Sequence, residues 1–251
     1  MTHELPAELE QALRAVAGAA TLLVTCDFDG TLAPIVSNPA DARPLPEAAD
    51  ALVALAGLPS THAALISGRA LNVLRELSSM PRDVHLVGSH GAEFDTGFTH
   101  TIDEVLLARI ISSLNTIAEG RPGVAVETKP ASVALHVRNA GQADGEAALR
   151  EARTAAQDWN VHLTEGKAVL EFAVINTDKG EAVDILRDQH DASAVVFFGD
   201  DVTDEKAFRR MRESDIGVKV GTGETLARYR VESPESVARA LHFLCDARAD
   251  Q

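Results

Sequence analysis

The sequence predicts an α/β protein: a doubly wound parallel-sheet core with a smaller α+β domain inserted into it. Three observations predict this class. Short apolar runs rich in Val, Ile, Leu and Phe are bounded by turn residues, stretches of helical composition stand between them, and the middle of the chain changes to strands of alternating polarity. Alternation of strand and helix is the signature of βαβ units with helices on both faces of the sheet.

In chain order, the strand candidates of the core are Thr21–Cys26, His62–Ile66, Val84–Val87, Ala194–Phe198 and Ile216–Val220. The helix candidates between them are Ala48–Ala56, Ala70–Ser78, Lys179–Asp188 and Asp204–Arg212. In the middle, Val124–Thr128, Ser132–Arg138 and Ala168–Val174 mix apolar and polar positions with period 2, as strands with one wet face do, and they flank the helical stretch Asp144–Trp159. The expected organisation is a Rossmann-like core from 1–95 and 177–251, with an inserted domain from 96–176.

The chain has 251 residues, 45% hydrophobic and 24% charged, which excludes disorder and fibres. Its formal charge of −15, with no basic run to offset it, argues against nucleic acid and anionic lipid as partners. The uncharged stretch Ala15–Cys26 is far short of the roughly 20 residues a membrane span needs. Glu4, Glu8 and Glu10 stand where an export signal would carry positive charge. With only Cys26 and Cys245 the chain has no disulfide framework, so a cytoplasmic location is expected. The oligomeric state is left open, with a monomer favoured.

Directly after the first strand the chain reads Asp27-Phe28-Asp29-Gly30-Thr31-Leu32. Ligands collect beyond the carboxyl ends of strands in a doubly wound sheet, so two acids there stand where chemistry is done. Gly30 permits the turn that gathers them. Their repulsion calls for a cation, and Mg²⁺ is the hard, oxygen-seeking ion that suits such a loop. Taken alone, Asp-x-Asp-Gly is as well read as a turn. A calcium loop is excluded, because Leu32, Ala33, Pro34 and Ile35 offer no acidic ligands.

This motif resembles the first motif of the haloacid-dehalogenase-like phosphatases. Three further segments continue the likeness in order: Ser67-Gly68-Arg69, Lys179-Gly180, and Gly199-Asp200-Asp201-Val202-Thr203-Asp204-Glu205. The resemblance implies that Asp27 attacks phosphorus to form an aspartyl-phosphate, and that Asp29 acts as general acid and base. It further implies that Ser67 and Lys179 bind the phosphoryl oxygens, and that Mg²⁺ is held by Asp27, the main-chain carbonyl of Asp29 and Asp200. Asp201 and Asp204 would support the ion site.

Gly88-Ser89-His90-Gly91-Ala92-Glu93, the run from Glu127-Thr128-Lys129 through His136-Val137-Arg138, and Glu165-Gly166-Lys167 with Glu171 resemble the trehalose-6-phosphate phosphatases in particular. This implies that the partner is a small-molecule sugar phosphate. Glu127, Lys129, Arg138, Lys167 and Glu171 would bind the sugar, with Arg69 and Glu93 at the rim between domains. Read without the likeness, these charges are cross-strand pairs on a solvated sheet. The sequence departs from the family at Val137, where an aromatic residue is usual, and at Phe172-Ala173, where Arg-Pro is common. Another sugar-phosphate phosphatase, a phosphomutase, or a sugar-phosphate-binding domain without turnover are the alternative readings. Trp159, amid helical composition, is expected to pack the inserted domain.

Overall fold

The computed structural model describes residues 5–251, so Glu4 lies outside the described residues. The chain divides into two compact units, one comprising the chain up to Gly97 with Thr177–Gln251, the other Phe98–Asn176.

The first unit begins with α1 (Ala7–Val16), β1 (Leu22–Cys26), α2 (Pro46–Ala56), β2 (Thr61–Ile66), α3 (Leu71–Ser78), β3 (Val84–Val87) and β4 (Glu93–Phe94), which pairs in a short ribbon with β5 (Gly97–Phe98) at the boundary of the two units. The second unit holds α4 (Glu104–Ala118), β6 (Ala125–Thr128), β7 (Ser132–His136), α5 (Gln142–Ala155), β8 (His162–Gly166) and β9 (Val169–Ala173). The first resumes with α6 (Lys179–Gln189), β10 (Ala194–Gly199), α7 (Glu205–Arg209), β11 (Ile216–Val220), β12 (Tyr229–Val231) and α8 (Pro234–Ala249).

The core sheet has six parallel strands in the order β12-β11-β10-β1-β2-β3. Alternate residues of β1 go to opposite faces. Leu22, Val24 and Cys26 pack under α1, α2, α3 and α8, whereas Leu23 joins Val195, Phe197, Val183 and Phe208 under α6 and α7. All five residues of β1 are buried, which explains the unbroken apolar run. Thr25, the polar exception, donates its hydroxyl to the Val196 carbonyl at 3.0 Å. The chain leaves β1 toward β2 on one side and returns to β10 on the other, so the sheet order switches at the carboxyl end of β1.

The second unit is an antiparallel sheet in the order β6-β7-β9-β8. Val133, Leu135, Leu170 and Phe172 form its core with Ile110 and Leu114 of α4 and Ala148 and Ala152 of α5. Trp159 belongs to this core, edge-on to Phe172 with centroids 5.4 Å apart.

The elements that sequence reading did not supply are α1, β4, β5, α4, β8, β12 and α8. β12 is three residues long, and β8 is largely exposed, so neither carries an apolar run. The helix expected over Asp204–Arg212 is shorter, Glu205–Arg209; at its start, Asp204 is spent on the loop before it.

Candidate active site

The backbone N–H of Asp27 donates to the Phe198 carbonyl at 2.9 Å, extending the β1–β10 ladder by one residue before the chain turns. The N–H groups of Leu32 and Ala33 then donate back to the Phe28 carbonyl, at 3.0 and 2.8 Å. Gly30 sits in this turn at φ +80°, and a Cβ there would lie 2.1 Å from Asp200 Oδ2. Glycine is therefore needed both for the turn and for the approach of the acid that follows β10.

Carboxylate oxygens of Asp27, Asp200 and Asp204 lie within 4.8 Å of one another. Lys179, first residue of α6 and buried, is 2.7 Å from Asp27 Oδ1 and 2.7 Å from Asp204 Oδ1. The other oxygen of Asp204 accepts the N–H groups of Asp200 and Asp201 at 3.0 and 2.9 Å. Both oxygens of Asp204 are thus engaged, one by Lys179 and the other by the loop. Asp200 differs: its Oδ1 is buried without a hydrogen-bond partner, while Lys219 on β11 donates to its backbone carbonyl.

Three carboxylates face one ammonium in this cluster. Burial raises the Asp27 carboxyl well above the usual carboxylate range against the opposing pull of Lys179. Burial, with the Asp204 charge next, pushes Asp200 up to about 6. Burial alone would lower Lys179, but Asp204 and Asp27 carry it above its ordinary value. Surplus negative charge, an all-oxygen donor set and the orphaned Asp200 Oδ1 fit a hard divalent cation. Asp201 is exposed, and its Oδ1 accepts the Val202 N–H at 2.7 Å.

Because Cys26 pairs with Leu65, Asp27 and Ser67 leave the same edge of the sheet on neighbouring strands. Ser67 is buried, and its Oγ accepts the Arg69 N–H at 3.2 Å. A Cβ on Gly68 would lie 2.4 Å from the His90 ring, so His90 walls this turn. Glu93 ties it down, its Oε2 accepting the N–H of Leu71 at 2.8 Å and the Ser89 hydroxyl at 3.3 Å. Arg69 grips Asp29 with both prongs, Nε to Oδ2 at 2.7 Å and Nη2 to Oδ1 at 2.6 Å, over the Phe28 ring.

In the second unit, the register Glu127↔Ala134↔Glu171 puts both glutamates on the face opposite α4 and α5. His136 shares that face, its Nε2 2.8 Å from Glu127 Oε2. Lys129 and Ser132 both donate to Glu171 Oε1, at 2.9 and 2.7 Å. Glu165 has the opposite parity and makes a two-pronged bond to Arg153 of α5 at 2.9 and 3.0 Å. Arg138 and Lys167 are exposed.

Of the residues selected from the sequence, the structure gathers Asp27, Lys179 and Asp204, all buried, with the half-buried Asp200 into one cluster and joins Arg69 to Asp29. Glu93 emerges as a brace of the turn after β2. Glu127, Lys129 and Glu171 share one sheet face. Sequence reading missed Lys219, buried beside Asp200 and 3.9 Å from Glu205. The signal for it was available: a lysine inside the otherwise apolar run Ile216–Val220.

A doubly wound sheet with acids at the carboxyl end of its central strand, and an antiparallel unit inserted after the third strand, defines a protein of the haloacid-dehalogenase-like class. Residues 25–235 match the trehalose-phosphatase family, and the chain belongs to it, a family of phosphoric monoester hydrolases. The trehalose-6-phosphate phosphatase of Escherichia coli is 35% identical over 229 residues, 88% of this chain and 85% of that one. The trehalose-phosphate phosphatase of Mycobacterium leprae is 34% identical over 89% of this chain, which spans 57% of that longer protein. In fold, the C-terminal domain of the C. albicans trehalose-6-phosphate phosphatase is similar with a TM-score of 0.79 at 23% identity, over 98% of this chain and 99% of that one. So is the C-terminal domain of a Candida albicans trehalose synthase regulatory protein, with a TM-score of 0.69 at 14% identity, over 93% and 97%. The fold thus serves proteins with different names, and turnover depends on the residues of the site. No helix among the described residues is long and apolar enough to cross a membrane.

Proposed function

We propose that the chain hydrolyses trehalose 6-phosphate to trehalose and phosphate, with Asp27 as nucleophile and Mg²⁺ as cofactor. The observation that carries the reading is the buried cluster of Asp27, Asp200 and Asp204 around Lys179, one positive charge short of neutrality even with one carboxyl protonated.

Asp27 and Asp200, with the Asp29 carbonyl, would hold the ion, which supplies charge neutralisation between an anionic nucleophile and an anionic phosphate. Asp27 Oδ2, the oxygen not held by Lys179, attacks phosphorus and forms the aspartyl-phosphate. Lys179 and the Ser67 hydroxyl bind the phosphoryl oxygens. Asp29 delivers a proton to the leaving sugar oxygen and later takes one from water. For that it must free an oxygen from Arg69, so the Arg69 fork holds Asp29 in place until the phosphate draws the guanidinium away. Glu127, Lys129, Arg138, Lys167 and Glu171 bind glucose hydroxyls by charge-assisted hydrogen bonds, and a sugar lacking a matching hydroxyl leaves them unpaired.

Phosphate release from a panel of sugar phosphates, with and without Mg²⁺, tests this. Preference for trehalose 6-phosphate with loss of turnover on Mg²⁺ removal is expected. Equal or faster release from glucose 6-phosphate or sucrose 6-phosphate would remove the substrate assignment. Binding without turnover would return the chain to a sensor role.

A further inference from the structure

At the other end of the core sheet, three imidazoles meet that this reaction does not use. His62 is the second residue of β2 and His85 the second of β3. The register Ala64↔His85 puts both side chains on the sheet face that α6 covers. His190 follows α6 directly, and its ring lies 4.0 Å from that of His62 and 4.6 Å from that of His85. One nitrogen of each ring lies within 4.8 Å of the others, and His190 Nε2 is buried with no hydrogen-bond partner. From Lys179 to His190 the chain takes eleven helical steps, about 16 Å, so the cluster is well removed from the carboxylates.

We propose that His62, His85 and His190 form a second metal site, for a transition-metal dication of the Zn²⁺ type. Three nitrogen donors suit Zn²⁺ and disfavour Mg²⁺, which seeks oxygen. An imidazole must be neutral to ligate. Burial, and then the two neighbouring rings, lowers His190 to about 4, and burial followed by His85 lowers His62, both in the direction that favours the neutral, ligating form. In a tetrahedral site the ligating nitrogens stand about 3.3 Å apart. Capture therefore turns the His62 and His190 rings out of their stack, which is 20° from parallel, until their lone pairs converge. The ion would pin β2, β3 and the C-terminus of α6 together, with its fourth position left to water.

The test uses the full chain, stripped with EDTA and then held in saturating Mg²⁺ so that the carboxylate site is filled. Zn²⁺ is titrated against a chromophoric chelator, and Cu²⁺ serves as the paramagnetic probe for nitrogen ligands. Expected are one Zn²⁺ per chain, a Cu²⁺ spectrum split by imidazole nitrogen, and affinity at least tenfold weaker in His190→Gln and in His85→Gln but unchanged in Asp200→Asn. Should His190→Gln not fold, His85→Gln and the wild-type spectrum carry the same decision. Zn²⁺ binding lost in Asp200→Asn and kept in the histidine variants, a Cu²⁺ spectrum without nitrogen splitting, or no binding at all would overturn the site.

Discussion

Helix α6 buries two cations, one near each end, and the contrast between them separates structure from function. Arg187 meets Asp215 through two bonds of 3.1 and 2.5 Å, and the same carboxylate accepts the N–H groups of Val195 and Arg212 at 2.9 and 2.6 Å. There, one cation faces one anion and both carboxylate oxygens are used. Lys179 meets Asp27 and Asp204 with Asp200 alongside, and Asp200 Oδ1 is left without a partner. A buried pair balanced in charge serves the fold, even with Arg187 Nε left without a partner. An unbalanced cluster is costly unless a ligand completes it, which is why perturbed acids gather at functional sites.

The sharpest way to break this comparison is to remove one acid from each end. With Asp27 as the proposed nucleophile, Asp27→Asn is expected to lower turnover by at least about a thousandfold. In metal-free buffer the same variant should melt no lower than the wild type, because it relieves surplus buried charge. Asp215→Ala should do the reverse, stranding the Arg187 guanidinium at a cost of about 3–5 kcal/mol in urea unfolding. A large stability loss in Asp27→Asn would show that the acidic cluster is structural after all.

Next in size is Arg69→Lys. A point charge cannot reproduce the two-pronged hold on Asp29, so kcat is expected to fall about tenfold or more with the melting temperature unchanged. An unaltered kcat would mean that the fork has no part in placing Asp29. Lys219→Met removes the donor to the Asp200 carbonyl, and Mg²⁺ affinity is expected to weaken by about 10- to 100-fold, read by metal titration of activity.

How much of this was legible in the sequence follows the same division. The buried parallel strands announced themselves, since β1, β2, β3, β10 and β11 are covered on both faces and, apart from Thr25, Thr61, His62, His85 and Lys219, carry no polar side chain to mark another period. Asp27 and Asp29 were legible because they stand just past an apolar strand, and Asp200 because its segment resembles the fourth motif of the haloacid-dehalogenase-like phosphatases. The fork between Arg69 and Asp29, 40 residues apart, was not, because it depends on how two loops converge after β1 and β2. The histidine cluster was invisible for the same reason: His62, His85 and His190 stand far apart in the chain and meet only through strand register and the length of α6. Asp215 gave no local sign of pairing with Arg187, its partner 28 residues away.

The smallest effect divides the two faces of the second unit's sheet. Glu171 and Glu165 sit on adjacent strands, yet Glu171 faces away from the helices beside Lys129, and Glu165 turns back to Arg153 of α5. Glu171→Gln is therefore expected to raise KM for trehalose 6-phosphate by about 10-fold or more, the cost of one charge-assisted hydrogen bond to the sugar. Glu165→Gln should leave KM unchanged and act on stability alone. Hydrogen bonds from Arg153, with its charge adding to them, hold the Glu165 carboxyl below the usual range. A carboxyl lowered by folding stabilises above its unfolded value near 4.5, and that contribution is lost as pH falls through the folded value. The pair is exposed and screened, so the melting difference between wild type and Glu165→Gln is expected to be small at pH 7 and to shrink as pH falls below 4.5. Equal changes in KM for the two variants would show that sheet parity does not sort sugar-binding residues from structural ones.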